Sequence, residues 1–275
     1  MAKNEPQQTE QESTEIALRQ AQELAAFEAQ QLEEAGSGFE EATSDSYAIP
    51  FLQVLQSGSP QCKKSDGRYI EGAEEGMIFN TVTQELFDGE KGLRIVPCHY
   101  AQRMVEWKPR DSGGGFVGEH LPTNPIVSTT YKDDKNRDVL PNGNNLVDTR
   151  NHYVLVLGED GSITPALLAM SSTSIKTSRQ WMSKMQGIKI KGPNGFVTAP
   201  MHSREYLLTT SARSNDKGSW FVPDVKLDSI LTDKSIYQAA QEFRDAIRAG
   251  KVRSSTGEET EADAESSSGD NNEQF

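Results

Sequence analysis

Residues 152–170 read HYVLVLGEDGSITPALLAM. Two apolar, strand-forming runs stand on either side of Glu159-Asp160-Gly161, which is the pattern of an antiparallel hairpin. The pattern recurs. EYLLTTSARSNDKGSWFVPDVKL (205–227) turns about Asn215-Asp216-Lys217-Gly218, and GMIFNTVTQELFDGEKGLRIVPCHY (76–100) alternates around a DGEKG turn. RMVEWKPR (103–110) reads as a further strand. Only SSTSIKTSRQWMSKMQGIKI (171–190) and DKSIYQAAQEFRDAIRAGKV (233–252) carry helical spacing, the latter with Ile236, Ala239, Ala240, Phe243 and Ile247 on one side. No strand–helix–strand alternation appears, which argues against a parallel sheet. The order predicts a mainly β fold: an OB-fold-like antiparallel barrel with enlarged loops and one or two helices. A β-sandwich is the competing arrangement.

Charge divides the chain into three. Residues 1–46 hold eleven acids and two bases, residues 254–275 hold seven acids and no base, and residues 47–253 hold 26 bases and 23 acids. The net charge of −13 therefore belongs to the ends, and the middle is slightly basic. We read 1–46 as an acidic arm, partly helical or disordered, 47–253 as an OB-like nucleic-acid-binding domain, and 254–275 as a disordered acidic tail. Within the arm, 13–35 is built from strong helix formers, with Ser13 or Thr14 placed to cap it and Gly36 to end it. The polar stretch from Gly113 to Arg150 reads as a long loop-like insertion.

Cys62 and Cys98 are far apart, and the histidines lack ligand spacing, so no metal or cofactor is expected. No signal peptide and no apolar run near 18 residues is present, which points to a reducing compartment and away from a membrane. P-loop, HExxH, GxSxG and GxGxxG motifs are absent, and the glycines of SGGGF (112–116) lack the Lys-Ser/Thr of a phosphate cradle. Acids of the middle region sit in turns, where they cap backbone without catalysis. The chain is not expected to be an enzyme.

Gly161–Arg204 contains no Asp or Glu, and carries Lys176, Arg179, Lys184, Lys189, Lys191 and Arg204. Cations neutralise a nucleic-acid backbone, and the hydroxyls of Ser171–Ser174 donate to phosphate oxygens. Trp181 inside this run is either a core residue or a stacking surface. Three other clusters mix cations and aromatics: Lys63, Lys64, Arg68 and Tyr69; Trp107, Lys108 and Arg110; Tyr131 and Lys132. Single-strand binding needs that mixture, because bases stack on flat rings while phosphates seek cations.

The last residues, EETEADAESSSGDNNEQF (258–275), end an acidic segment on one aromatic ring, Phe275. With the basic core, this resembles the single-stranded DNA-binding proteins of bacterial viruses. YAIPFLQVLQSGSPQ, NTVTQELFDGEKGLRIVPC and MSSTSIKTSRQWMSKM also resemble a family of phage proteins described as hypothetical or as DNA-binding, a likeness that covers most of 47–250 and names no mechanism. The resemblance implies a non-catalytic binder of single-stranded DNA in phage replication and recombination, at work in the cytoplasm of the infected host. It implies a tail that competes for the basic groove and recruits replication proteins such as DNA polymerase or helicase through Phe275. A homodimer is compatible with it. The alternative is a non-enzymatic virion component or polymerase accessory factor.

Overall fold

The structure, a computed structural model, describes residues 5–35, 37, 38, 40, 41, 49–216 and 218–252. Lys217 and the tail from 253 onward, including Phe275, lie outside the described residues. The chain divides into two units, Met1–Tyr47 and Ala48–Phe275. In the first, α1 runs from Glu5 to Glu33, and its side chains from Ile16 to Glu33 are exposed. It starts earlier than the predicted cap, so Ser13 and Thr14 lie inside it. The preceding Gln and Glu residues favour helix as much as those that follow, and Pro6 sits in the first turn, where proline is tolerated.

The second unit is mainly β. Its strands are β1 (Leu52–Val54), β2 (Ile78–Asn80), β3 (Leu86–Phe87), β4 (Leu93–Trp107), β5 (Phe116–His120), β6 (Tyr131–Lys132), β7 (Asp138–Val139), β8 (Asn145–Leu157), β9 (Ile163–Ser171), β10 (Lys189–Gly192), β11 (Gly195–Thr198), β12 (Arg204–Asn215) and β13 (Gly218–Ile230). Helices α2 (Ile175–Gly187) and α3 (Lys234–Arg248) join them, so that among the described residues this unit has the two helices expected of it, and α1 is the helix of the arm. The five long strands lie in the order β13-β12-β4-β8-β9, all antiparallel, with α2 between β9 and β12. That order and helix position are those of an OB barrel.

Direct pairing of β9 with β13 does not close this barrel. The segment beginning at Pro50 fills the gap. Leu167 N–H donates to Pro50 O at 2.8 Å, and at the other end the Gln56 carboxamide donates to Phe221 O and accepts from Phe221 N–H, each at 2.9 Å. The sheet β1-β2-β3 hangs from this segment and is tied to β12 where Thr210 N–H donates to Gly89 O. Packing there is close enough that a Cβ on Gly89 would overlap Gly76 O and Thr210 Oγ1.

The sheet buries both faces, because side chains alternate along each strand. Inside the curl lie Ile95, Val154, Val156, Leu168, Met170, Tyr206 and Leu208, with Trp181 and Met185 of α2 plugging the end. Outside lie Val96, Tyr153, Leu155, Leu157 and Leu167, covered by Ala240 and Phe243 of α3. Asp233 caps α3 by accepting from the N–H groups of Ser235 and Ile236, and its apolar stripe is the one spaced in the sequence.

The stretch from Gly113 to Arg150 is less loop than the sequence suggested. β5 pairs with the far half of β4, and β8 begins at Asn145, five residues before Arg150. A buried carboxylate organises this extension. Glu106 accepts from Asn142 at 3.0 Å and Asn144 at 2.6 Å, and meets His120 Nε2 at 2.8 Å. Burial raises its pKa, but the bonds from Asn144, Asn142 and His120 outweigh that and hold it below the usual carboxylate range.

Candidate nucleic-acid interface

Helix α2 presents two opposite faces. Ser178, Trp181 and Met185, spaced i, i+3, i+7, are buried, while Lys176, Arg179 and Lys184 are exposed. Trp181 is 1 % exposed, stacks on His152 with centroids 4.6 Å apart, and meets Tyr206 edge-on at 5.5 Å. His152 Nε2 bonds Ser178 Oγ at 2.8 Å, and burial, with Arg150 nearby, lowers its pKa to about 3. Trp181 therefore belongs to the core. It offers no surface to a base, because its ring is spent plugging the barrel.

The run after α2 is not helical as far as Ile190. Lys189–Gly192 and Gly195–Thr198 form an isolated two-stranded ribbon. Directly opposed residues share a face, so Lys189, Lys191, Phe196 and Thr198 lie together, with Lys191 opposite Phe196. Phe196 is 76 % exposed. It was missed in the sequence because GPNGF reads as a turn, although its position in an acid-free basic run was a usable signal. From its first turn to this ribbon, α2 spans about 20 Å at 1.5 Å per residue, with its three exposed cations in between.

A cleft opens at the other end of α2. Its walls are Phe51 beside β1, Trp107 of β4, and Trp220 and Phe221 of β13. Its floor is the outer face of β8 and β9, with Val147, Thr149, Asn151, Ala169 and Ser171; Thr173 and Ser174 close it at the start of α2. The space is about 1020 Å³, open mouth included, enough for a small organic group. Trp107 packs edge-on against Phe116 at 5.7 Å, which fixes its ring. Among the described residues Glu119 is the one acid in the lining; burial raises its pKa, and Arg103, 3.6 Å away, opposes the rise. Arg213 lies directly opposite Trp220 in the β12–β13 hairpin.

Of the predicted residues that the structure describes, Trp107 alone lines the cleft, with Lys108 exposed immediately after it and Arg110 in the turn beyond. Lys176, Arg179 and Lys184 are gathered on α2, and Lys189 and Lys191 on the ribbon. The others stand apart. Lys63, Lys64, Arg68 and Tyr69 occupy the loop between β1 and β2, with Arg68 paired to Asp66 at 3.3 Å. Tyr131 and Lys132 form the edge strand β6, and Lys132 pairs with Asp138 at 3.0 Å. Arg204 is partly buried and donates to Ser203 O. Phe51, Asn151, Trp220, Phe221 and Arg103 were not foreseen, although the adjacent Trp-Phe after a turn glycine could have marked the hairpin.

Among the described residues no group of three His, Cys, Asp or Glu could hold a metal, and no helix is long and apolar enough to cross a membrane. No curated protein and no solved structure matches the chain. Residues 19–253 match the phage family described as Pam3 phage gp34-like protein, and the chain belongs to that family.

Proposed function

We propose that this phage protein is a non-catalytic binder of single-stranded DNA in replication or recombination, acting in the host cytoplasm. One observation carries the reading: exposed cations and an exposed aromatic are arrayed on one continuous element, from Lys176, Arg179 and Lys184 on α2 to Lys189, Lys191 and Phe196 on the ribbon. Such pairing of backbone neutralisation with ring stacking suits a strand whose bases are unpaired, with little preference for sequence. The aromatic cleft supports it further, since OB barrels take oligonucleotides on the outer face of their second and third strands, here β8 and β9.

The test is a titration of fluorescent oligo-dT and of a duplex of equal length. Tight binding to oligo-dT alone is the expected result, and equal or absent binding to both refutes the reading. In this reading the tail Glu258–Phe275 competes for the basic surface and recruits a polymerase or helicase through Phe275. Its deletion then tightens oligo-dT binding and abolishes recruitment; unchanged affinity in the shortened chain refutes the competition. A second reading, a virion component or polymerase accessory factor, draws on α1. There Ile16, Leu18, Leu24, Phe27 and Leu32 are all more than half exposed, a surface suited to a protein partner.

A further inference from the structure

The cleft between Trp107 and Trp220 differs from the basic surface beside it in one respect: among the described residues no Lys or Arg lines it. A phosphate would find no cation there, and its nearest charge would be the Glu119 carboxyl. What the cleft supplies instead is flat apolar walls and two uncommitted polar groups. Asn151 is 2 % exposed and forms part of the floor, yet nothing among the described residues hydrogen-bonds to its carboxamide. Its carboxamide is not shut away as a buried group without a partner, so a ligand entering the cleft can reach its donor and acceptor. The Trp220 indole Nε1 is shielded and without a partner among the described residues. At one end of the cleft stand Ser171, Thr173 and Ser174, and Ser174 begins α2 without a side-chain capping bond.

We infer that the cleft takes a single unpaired nucleobase, held flat between aromatic walls and read on its edge. Asn151 presents one donor pair and one acceptor, which is the complement of a base edge carrying both a carbonyl and an N–H. Trp220 adds a donor for a second carbonyl. The phosphate attached to that nucleotide lies outside, at the first turn of α2, beside the hydroxyls of Thr173 and Ser174. The strand then continues along Lys176, Arg179 and Lys184. This inference rests on the single-strand reading and adds to it a base-specific anchor at one end of an otherwise indifferent track.

The experiment compares oligo-dT with an abasic oligomer of equal length, which keeps every phosphate and removes every base. Wild type prefers oligo-dT by about 5- to 150-fold, the range of one stacked base. Asn151→Leu, close in size but with neither donor nor acceptor, brings oligo-dT affinity down toward the abasic value and leaves abasic binding unchanged. Trp220→Ala, at the half-exposed end of a hairpin, does the same and keeps the test open should N151L fail to fold. Equal binding of both oligomers by wild type overturns the base pocket while electrostatic strand binding stands. Full preference retained in the folded variants overturns the assignment of these residues. Binding to neither oligomer refutes the single-strand reading itself.

Discussion

One face of one sheet is finished in two ways. Over half of the outer face, Val96, Tyr153, Leu155, Leu157 and Leu167 are sealed beneath Phe243 and Ala240 of α3. Further along the same strands, Val105, Trp107, Val147, Thr149, Asn151, Ala169 and Ser171 follow the same alternation and line an open cleft. The backbone is continuous through both. What differs is the balance of side chains: mostly aliphatic where the helix lies, with Tyr153 packed edge-on against Phe243, and mixed with Trp107, Thr149, Asn151 and Ser171 where none does. A purely aliphatic face left open would shed water onto a partner helix, whereas a mixed one can stay solvated until a ligand arrives.

The largest effect that can break this comparison lies in the covered half. Phe243→Ala leaves a cavity under α3 and should cost about 3–5 kcal/mol of stability in a urea titration. Oligo-dT affinity of the folded fraction should not change; a parallel loss of both would show that the two halves are one site.

A smaller effect comes from beneath the sheet. His152 has a folded pKa of about 3, below its ordinary 6.5, so the unfolded chain binds the proton more readily. Its contribution is fully present above about pH 6.5 and is lost as pH falls toward 3. At pH 5 that amounts to about 2 kcal/mol relative to pH 7. His152→Gln, which does not titrate, should flatten this part of the pH–stability curve. A wild-type curve already flat between pH 7 and 5 would remove the buried neutral histidine from the account.

The smallest effect sharpens the open side. Phe196→Ala on the ribbon should leave the urea midpoint in place and weaken oligo-dT binding by about 1 kcal/mol, the low end for one stacked base. In the same assay, if four of the cations on α2 and the ribbon meet phosphates, log affinity should fall with log salt at a slope near about −3. A slope near zero would leave stacking without its electrostatic partner.

The sequence by itself determined the local choices. Turn glycines at Gly161 and Gly218, two-residue alternation in 152–170 and 205–227, and the apolar stripe of α3 all act between near neighbours, so the hairpins, the final helix and the barrel class were legible. The basic run was legible too, because charge is additive and needs no geometry. Tertiary structure alone decided where Trp181 points, since a tryptophan on an amphipathic helix reads alike whether it plugs a barrel or faces a strand of DNA. Structure alone extended β8 back through polar residues to Asn145, because pairing with β4 supplies hydrogen bonds that local propensity does not foretell. The cleft was least legible of all. It brings Phe51, Trp107, Asn151 and Trp220 to one place, and residues so distant in the chain become neighbours only when the sheet curls and Pro50–Gln56 closes it.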